Sequence, residues 1–247
     1  MAKTAKKAAK KALVKKAAKP VAKKSARKKS AKSSVSGDKQ RFTLYGTMTS
    51  GPTYTVGLML SLCRHPFSYI HVNLREGQHK QPDYLVKNRY GQVPTLRDRQ
   101  TIYVQSAAIL EHLSDTLNKF NGRTPLDRQR IREWLFWQWD KLSLPVLRLR
   151  ARARGFRQFG DEVRVMYDTE AKAAFAMLEH ELAKSPWIAA RRPTIADIGI
   201  YAVTRYTAEA NIDLTHYPHV LAWKKRFEAL PGFGTPEQIL PMESRLL

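Results

Sequence analysis

The sequence is poor in the features that mark secreted and membrane proteins. Its 247 residues include one cysteine, Cys63, which excludes an intramolecular disulfide and favours a reducing compartment. No run of about 20 apolar residues is present, so we expect no membrane-spanning helix. His, Cys, Asp and Glu nowhere have the spacing of a metal site, so we expect no bound metal. The glycines form no phosphate-binding loop.

Acidic and aromatic residues are almost absent from the first 40 positions. Residues 1–40 contain 15 Lys and Arg, a single acid at Asp38 and no aromatic residue, in a chain whose net charge is +23. Such a segment buries too little apolar surface to offset the entropy lost on ordering, so we predict a disordered basic tail. No apolar segment follows the charges, which argues against a secretory signal. The Ala/Lys repeats resemble the tails of linker-histone-like proteins.

The charge of this tail predicts contact with a polyanion. Neutralising phosphates releases counterions whatever the base sequence, so we expect non-specific contact of residues 1–40 with nucleic acid, and association with the nucleoid. Anionic lipid is an alternative partner. A solvated tail that mainly maintains solubility is the competing interpretation, which we disfavour because so many like charges attract any polyanion.

After the tail, the hydrophobic periodicity changes once along the chain. Up to about residue 118, short β-branched and aromatic runs alternate with helical segments in the order β-α-β-β-α. A linker with Gly122 and Pro125 follows, and beyond it the period is helical throughout. One predicted helix has an apolar stripe at Ile131, Leu135, Trp139, Leu142 and Val146. We therefore predict one mixed domain at 41–118 and one all-α domain at 126–247.

The most informative stretch lies between residues 88 and 110, NRYGQVPTLRDRQTIYVQSAAIL. Val93 is restricted to an extended conformation by Pro94, which itself donates no sheet hydrogen bond. If the Val93–Pro94 bond is cis, the Val93 N–H and C=O face outward and can pair with an extended peptide ligand. Ser106 is predicted to cap a helix whose free N–H groups and dipole favour a carboxylate. A peptide backbone held beside a carboxylate indicates glutathione as the ligand.

These residues resemble those of the glutathione S-transferase family. The resemblance runs from about Arg41 to about Gly234 in four segments, in the family's order: RFTLYGTMTSGPTYTVGLMLSLCRHPFSYIHVNL, GQVPTLRDRQTIYVQSAAIL, RPTIADIGIYA and DLTHYPHVLAWKKRFEALPGF. It implies an α+β fold, with a thioredoxin-like N-terminal domain followed by an all-α helical domain. It also implies a cytoplasmic homodimer that uses glutathione as co-substrate.

The resemblance assigns roles to individual residues of the glutathione site. In the family, the residue before the cis-proline pairs with the cysteinyl backbone of glutathione, and a Glu/Gln-Ser pair holds the γ-glutamyl end. Glutamine in that pair, where many members have glutamate, implies a weaker contact with the ligand's α-ammonium. His79 and Lys80 occupy the region that supplies cations for the glycine carboxylate, although plain surface charge is an equal interpretation. The expected glutathione-binding residues are Lys80, Gln92, Val93, Pro94, Gln105 and Ser106.

Ser50 is the expected catalytic residue. Conjugation needs the glutathione thiolate, yet a free thiol titrates near pH ~8.5. A hydroxyl that donates a hydrogen bond to the sulfur stabilises the anion. In theta-like members this donor is a serine in the loop after the first strand, which corresponds to Ser50, with Thr49 and Thr47 as alternates. The competing interpretation of Ser50 is an ordinary helix cap.

The resemblance leaves the reaction open. Conjugation of glutathione to a small electrophile is the favoured interpretation, but peroxidase and dehalogenase chemistry begin from the same thiolate. An alternative from another class is a non-catalytic transferase-fold module that docks proteins while its tail contacts nucleic acid. The intact Ser50 and Gln105-Ser106 favour the enzyme.

Three other features receive structural interpretations. Cys63 falls on the apolar side of the first helix, as expected for a buried, inert thiol. Asp197 is predicted to close a capping box begun by Thr194 rather than to act in catalysis. Five arginines crowd the end of the first long helix, where the family has its second-substrate pocket: Arg148, Arg150, Arg152, Arg154 and Arg157. Selection of an anionic electrophile is one interpretation, but we favour a solvated face paired with Asp161 and Glu162.

Overall fold

The computed structural model of the protein describes residues 40–242 and the backbone of Arg245 and Leu246. The predicted disordered tail therefore lies outside the described residues, apart from Gln40. Within the described part, every helix is too short or too polar to cross a membrane.

A mixed sheet forms the first part of the fold. Its strands are β1 (Phe42–Gly46), β2 (Phe67–His71), β3 (Thr95–Asp98), β4 (Thr101–Val104) and β5 (Arg245–Leu246), in the order β4-β3-β1-β2-β5. β1 and β2 are parallel, while β3 runs antiparallel to both β1 and β4. Parallel neighbours need a crossover connection, which the helix between β1 and β2 supplies.

The α-helices described in this first part are α1 (Gly51–Leu62), α2 (Pro82–Leu85) and α3 (Ser106–Leu117), with a short 3-10 turn at Gln78–Lys80. Helix α1 is buried on almost every side, because it packs on β1 and α3 and also on a helix of the second part. Its fully buried side chains include Tyr54, Val56, Leu58, Met59 and Leu60. This helix therefore belongs to the core of both parts of the fold.

The predicted cap of α3 is wrong by one residue. Ser106 is the first residue of the helix, and the capping position is occupied by Gln105, which has a left-handed φ of 69°. Few residues other than glycine adopt positive φ, so this backbone is held there by its surroundings. The residue preferences of helix caps favour serine at this position, and they do not predict a positive φ at Gln105.

The second part is helical: α4 (Pro125–Trp137), α5 (Leu144–Ala153), α6 (Asp161–Leu182), α7 (Ile195–Thr204), α8 (Pro218–Glu228) and α9 (Pro236–Ile239). Of the predicted apolar stripe, Trp139 alone is exposed, at 37%. It lies in a π-helical turn, Gln138–Ser143, that joins α4 to α5. A π turn adds a residue relative to the α-helical period and so rotates the next side chains away from the core.

The predicted capping box begins α7. Asp197 is fully buried and accepts hydrogen bonds from the N–H and hydroxyl of Thr194, from the Ile188 N–H and from the Trp223 indole. With four donors around its carboxyl group, Asp197 joins three segments of the helical part, which is a structural role.

The C-terminal segment returns to the first part of the fold. The Tyr54 hydroxyl donates to the Gly234 carbonyl at 2.9 Å, and the Ser61 hydroxyl donates to the Gly232 carbonyl at 2.7 Å. β5 then pairs antiparallel with β2. The segment 126–247 was predicted to be all-helical, and this short strand is a departure from that prediction. The whole arrangement is the predicted α+β fold, a thioredoxin-like domain followed by a helical domain.

Candidate active site

The largest group of predicted site residues meets at one cavity of about 430 Å³, here called the first cavity. Its wall contains all seven of the residues predicted to activate or bind glutathione: Ser50, Lys80, Gln92, Val93, Pro94, Gln105 and Ser106. His79 and Trp139 also line it. These residues come from five separate segments of the chain, so the cavity exists only in the folded protein.

The loop before β3 presents an open peptide group to this cavity. The Val93–Pro94 bond is cis, and within residues 40–242 neither the N–H nor the C=O of Val93 makes a hydrogen bond. The loop is held from behind, since the buried Asn88 amide and the Tyr84 hydroxyl both donate to the Gln92 carbonyl, at 2.7 and 2.8 Å. The free backbone of Val93 is therefore positioned by a fixed support.

The N-terminus of α3 forms the opposite wall of the first cavity. The Ser106 side chain is buried and its hydroxyl makes no hydrogen bond within the described residues. The Gln105 side chain is exposed and does not cap the helix. Free N–H groups of a first helical turn attract anions, so this wall suits a carboxylate.

A cation lies at a third side of the cavity. Lys80 is exposed and makes no ion pair within the part of the chain that the structure describes. Gly91, at φ 55°, allows the loop to approach it, because an added Cβ would lie 2.9 Å from the Lys80 Nζ. Burial, reinforced by the charge of Lys80, lowers the pKa of His79, which favours the neutral form of that imidazole.

Ser50 lies at the edge of the first cavity and is the N-cap of α1. Its Oγ accepts a hydrogen bond from the Thr53 N–H at 3.2 Å, which leaves the hydroxyl proton free to donate elsewhere. The Gly51 N–H, in the first turn of α1, has no partner among the described residues. The capping role and a donor role are therefore compatible in this geometry.

A second cavity, of about 710 Å³, lies on the other side of Ser50. It is lined by the loop that carries Ser50, by the segment after β2 and by α5, and it includes Thr47, Thr49, Leu147, Arg150 and Phe156. The alternates Thr47 and Thr49 line this second cavity and do not line the first. Ser50 is thus the predicted hydroxyl residue that faces both spaces.

Arg150 is a site residue that the sequence did not reveal. We expected a solvated arginine, but its side chain is 9% exposed. It donates to the Thr49 carbonyl at 2.8 Å and to Glu209 at 3.0 Å, and it lies over the Tyr206 ring at 3.8 Å. Burial raises the pKa of Glu209, but hydrogen bonds from Arg154 and Arg150 outweigh it and leave that pKa below its ordinary value.

The other arginines agree better with the prediction of a solvated face. Arg152 pairs with Asp161 at 3.0 Å, as expected. Among the described residues, neither Arg148 nor Arg157 forms an ion pair. Arg154 pairs with Glu209 at 2.6 Å rather than with Glu162.

The sequence predicts a buried, inert thiol at Cys63 and no metal site. Cys63 is buried at the end of α1, and burial raises the pKa of its thiol to about 11. That thiol is protonated at neutral pH and inert. Within the described residues, no group of three His, Cys, Asp or Glu is placed to hold a metal ion.

Comparison with known proteins agrees with this fold. Residues 40–115 match the glutathione S-transferase N-terminal domain, and residues 155–231 match the C-terminal domain. A solved structure, a possible glutathione S-transferase from Rhodopseudomonas palustris, is 30% identical with a TM-score of 0.75, over 79% of this chain and 90% of that one. The chain belongs to the glutathione S-transferase family.

Two curated relatives illustrate the range of activities within the family. The maleylacetoacetate isomerase of Rhizobium meliloti is 29% identical over 77% of this chain and 92% of its own length. Human glutathione S-transferase theta-2B is 28% identical over 76% of this chain and 81% of its own length. Relatives of similar identity thus carry different reaction names.

Proposed function

We propose that the protein binds glutathione in the first cavity and transfers its thiolate to a small electrophile in the second. The observation that carries this proposal is the position of Ser50, at the wall shared by the two cavities, opposite the open backbone of Val93. A sulfur held at that wall reaches both the hydroxyl that stabilises it and the space where an electrophile fits.

Glutathione matches the first cavity group by group. Its cysteinyl N–H and C=O pair with the Val93 backbone, as in strand addition. Its γ-glutamyl carboxylate binds at Ser106 and the first turn of α3, beside Gln105. Its glycine carboxylate faces Lys80. Gln92 precedes Val93 in the loop before β3 and lines the same cavity. Each end of the tripeptide thereby meets a group of suitable charge or hydrogen-bonding capacity.

Ser50 activates the thiol in this proposal. Its hydroxyl donates to the sulfur, and the positive end of the α1 dipole with the free Gly51 N–H adds to the stabilisation of the anion. The thiol pKa falls below its ordinary ~8.5, so that more thiolate is present at neutral pH. The thiolate then forms a carbon–sulfur bond as the leaving group departs with its electron pair.

Two measurements test the function together. The full-length protein should be retained on immobilised glutathione, and it should conjugate a generic aryl halide such as chlorodinitrobenzene. A Ser106→Ala variant should bind glutathione more weakly, because it loses the hydroxyl proposed to contact the γ-glutamyl end. A protein that neither binds glutathione nor turns over the halide would contradict the proposal.

Peroxidase, dehalogenase and isomerase chemistry remain alternatives for the same thiolate. They are separated by assaying peroxide reduction, halide release and isomerisation on the same preparation. The non-catalytic binding module is the alternative from another class, and it predicts glutathione binding without turnover of any such substrate. The unobstructed second cavity beside Ser50 favours the enzyme over that module.

We further propose that two copies associate through exposed apolar side chains. Val86 is 89% exposed and Phe136 is 77% exposed, and large apolar side chains exposed to this degree favour a partner surface. Sedimentation should give a dimer, and a Val86→Glu, Phe136→Glu double variant should give a monomer. A monomeric parent protein would refute this proposal.

A further inference from the structure

The second cavity is lined by arginines and by no acidic side chain among the described residues. Arg75, from the segment after β2, lines it together with Arg150 of α5 and Arg154, which follows that helix. Arg150 and Arg154 share Glu209 as their partner. Arg75 makes no ion pair within the described residues. The cavity therefore retains uncompensated positive charge.

Arg75 and Arg154 lie against the same aromatic ring. The guanidinium of Arg75 is 5.7 Å from the centroid of the Phe156 ring, and that of Arg154 is 5.6 Å from the same centroid. Both contacts lie within the range of cation–π attraction, which holds a cation without consuming its hydrogen-bond donors. The guanidinium of Arg75 thus stays available to an anion, while that of Arg154 uses one of its nitrogens on Glu209 and keeps its other donors.

The rest of this cavity is suited to an apolar body. Pro52, Leu74, Leu147 and Met242 line it together with Phe156. A volume of about 710 Å³ lies within the range of ordinary small-molecule sites. The cavity thus combines an apolar wall, a reactive end at Ser50 and unpaired positive charge.

We propose that the second cavity selects electrophiles that carry a carboxylate on an apolar, aromatic body. Arg75 binds that carboxylate, Arg154 assists it, and the apolar wall holds the body with its reactive carbon toward Ser50. This inference rests on the proposed function, because the nucleophile is the glutathione thiolate at Ser50. The charge arrangement adds the substrate class, which the transferase assignment leaves open.

The chemical step can be written for a benzylic chloride that carries a para-carboxylate. The thiolate sulfur attacks the benzylic carbon, a carbon–sulfur bond forms, and the carbon–chlorine bond breaks as chloride leaves with the bonding pair. The thiol proton has already passed to solvent. The carboxylate does not react, and its contact with Arg75 orients the carbon.

A matched pair of ligands separates charge from shape. S-(para-carboxybenzyl)glutathione and its benzoate methyl ester fill both cavities and differ by one charge. By calorimetry at physiological ionic strength, the acid should bind the full-length protein about fivefold more tightly than the ester, since an exposed ion pair contributes roughly that factor. The same order should hold for kcat/KM of the two benzylic chlorides, each divided by its uncatalysed rate.

Variants of Arg75 test its proposed contact with the carboxylate. Arg75→Gln should abolish the preference for the acid, and Arg75→Lys should retain part of it. Arg130→Gln is the matched control: it removes one charge from exposed α4, outside the second cavity, and should leave the preference intact. This control separates a local contact from the general attraction of anions by a chain with a net charge of +23.

The possible outcomes distinguish the proposed substrate class from the proposed transferase function. If glutathione binds normally but acid and ester bind equally, the substrate class is wrong and the transferase proposal stands. If Arg75→Gln and Arg130→Gln reduce the preference equally, the assignment to Arg75 is wrong. If glutathione itself does not bind, both proposals fail.

Discussion

The guanidinium of Arg150 donates a 2.8 Å hydrogen bond to the main-chain carbonyl of Thr49. These residues are 101 positions apart in the sequence, and the bond ties α5 to the loop that ends at Ser50. Glu209 and the Tyr206 ring fix the guanidinium in turn. The position of the proposed thiol activator therefore depends on the packing of the helical part.

Replacing Arg150 should lower the rate more than glutathione binding. In Arg150→Met, the Thr49 carbonyl loses its donor and Glu209 loses one of two cations, so we expect unfolding free energy to fall by about 1–3 kcal/mol. Loss of the preorganised donor should lower kcat by about tenfold, with the pH profile of kcat/KM shifted to higher pH. Arg152→Met is the control, because it removes the pair with Asp161 and a hydrogen bond to the Phe159 carbonyl but lines neither cavity. Equal kcat in the two variants would refute this role.

Ser50→Ala should separate activation from capping. We expect loss of the cap to cost about 1 kcal/mol and loss of the donor to lower the rate at neutral pH by roughly 10- to 100-fold. The thiol pKa of bound glutathione, followed by the ultraviolet absorbance of the thiolate, should rise, so that activity recovers at high pH.

Two controls isolate the hydroxyl of Ser50. Ser50→Thr keeps both roles and should retain much of the activity. Thr124→Ala removes the equivalent cap of α4 and should reduce stability without reducing the rate. Full activity of Ser50→Ala would transfer the role to Thr49 or Thr47.

Gln105→Glu should strengthen glutathione binding. A carboxylate at this position pairs with the α-ammonium of the γ-glutamyl group, and a charge-assisted hydrogen bond is about twice as strong as a neutral one. We expect a several-fold decrease in Kd, measured by calorimetry. A glutathione analogue that lacks the α-amino group should show no such gain, and a gain with that analogue would place the effect elsewhere.

Acid should destabilise the fold through Asp98. Arg41 donates to its buried carboxyl at 2.8 and 3.0 Å, and His112 lies 3.0 Å from it. The hydrogen bond from Arg41 holds the pKa of Asp98 below its ordinary 3.8, although burial opposes this. The charged form thus contributes stability that is complete above pH 3.8 and is lost as the pH falls through the lower, folded-state value.

The matching variant is Asp98→Asn. It should reduce the free energy of unfolding in urea by about 1–3 kcal/mol at pH 7, and its difference from the parent protein should narrow below pH 3.8. Asp115→Asn, at an exposed position of α3, should show no comparable loss. A difference that stays constant down to pH 3, or that is absent at pH 7, would contradict the assignment.

Deleting residues 1–40 should remove nucleic-acid binding and leave glutathione turnover nearly unchanged. The segment contributes 15 cations, so DNA affinity of the full-length protein should fall steeply with salt and show no base preference. Affinity at two salt concentrations, with and without the segment, decides this. If the truncated protein binds as well, the arginines between 148 and 157 are the binding surface, above all Arg148 and Arg157, which form no ion pair among the described residues.

Local sequence patterns alone determined most of the helices and strands of this protein. Pro94 restricts Val93, the alternation of apolar residues favours the strands, and Thr194 with Asp197 starts a helix, because each effect acts between neighbours in the chain. The family resemblance then identified the residues of the first cavity. The off-by-one error at Ser106 arose because the backbone of Gln105 has a positive φ, which the residue preferences of helix caps do not predict.

Tertiary structure alone decided which of the arginines from 148 to 157 is buried against the loop that carries Ser50. These arginines look alike in sequence, yet only Arg150 is buried, because Thr49, Tyr206 and Glu209 surround it from distant positions. The second cavity likewise arises where the Ser50 loop, the segment after β2 and α5 meet. Contacts of that kind depend on how whole elements pack, and no local pattern in the sequence encodes them.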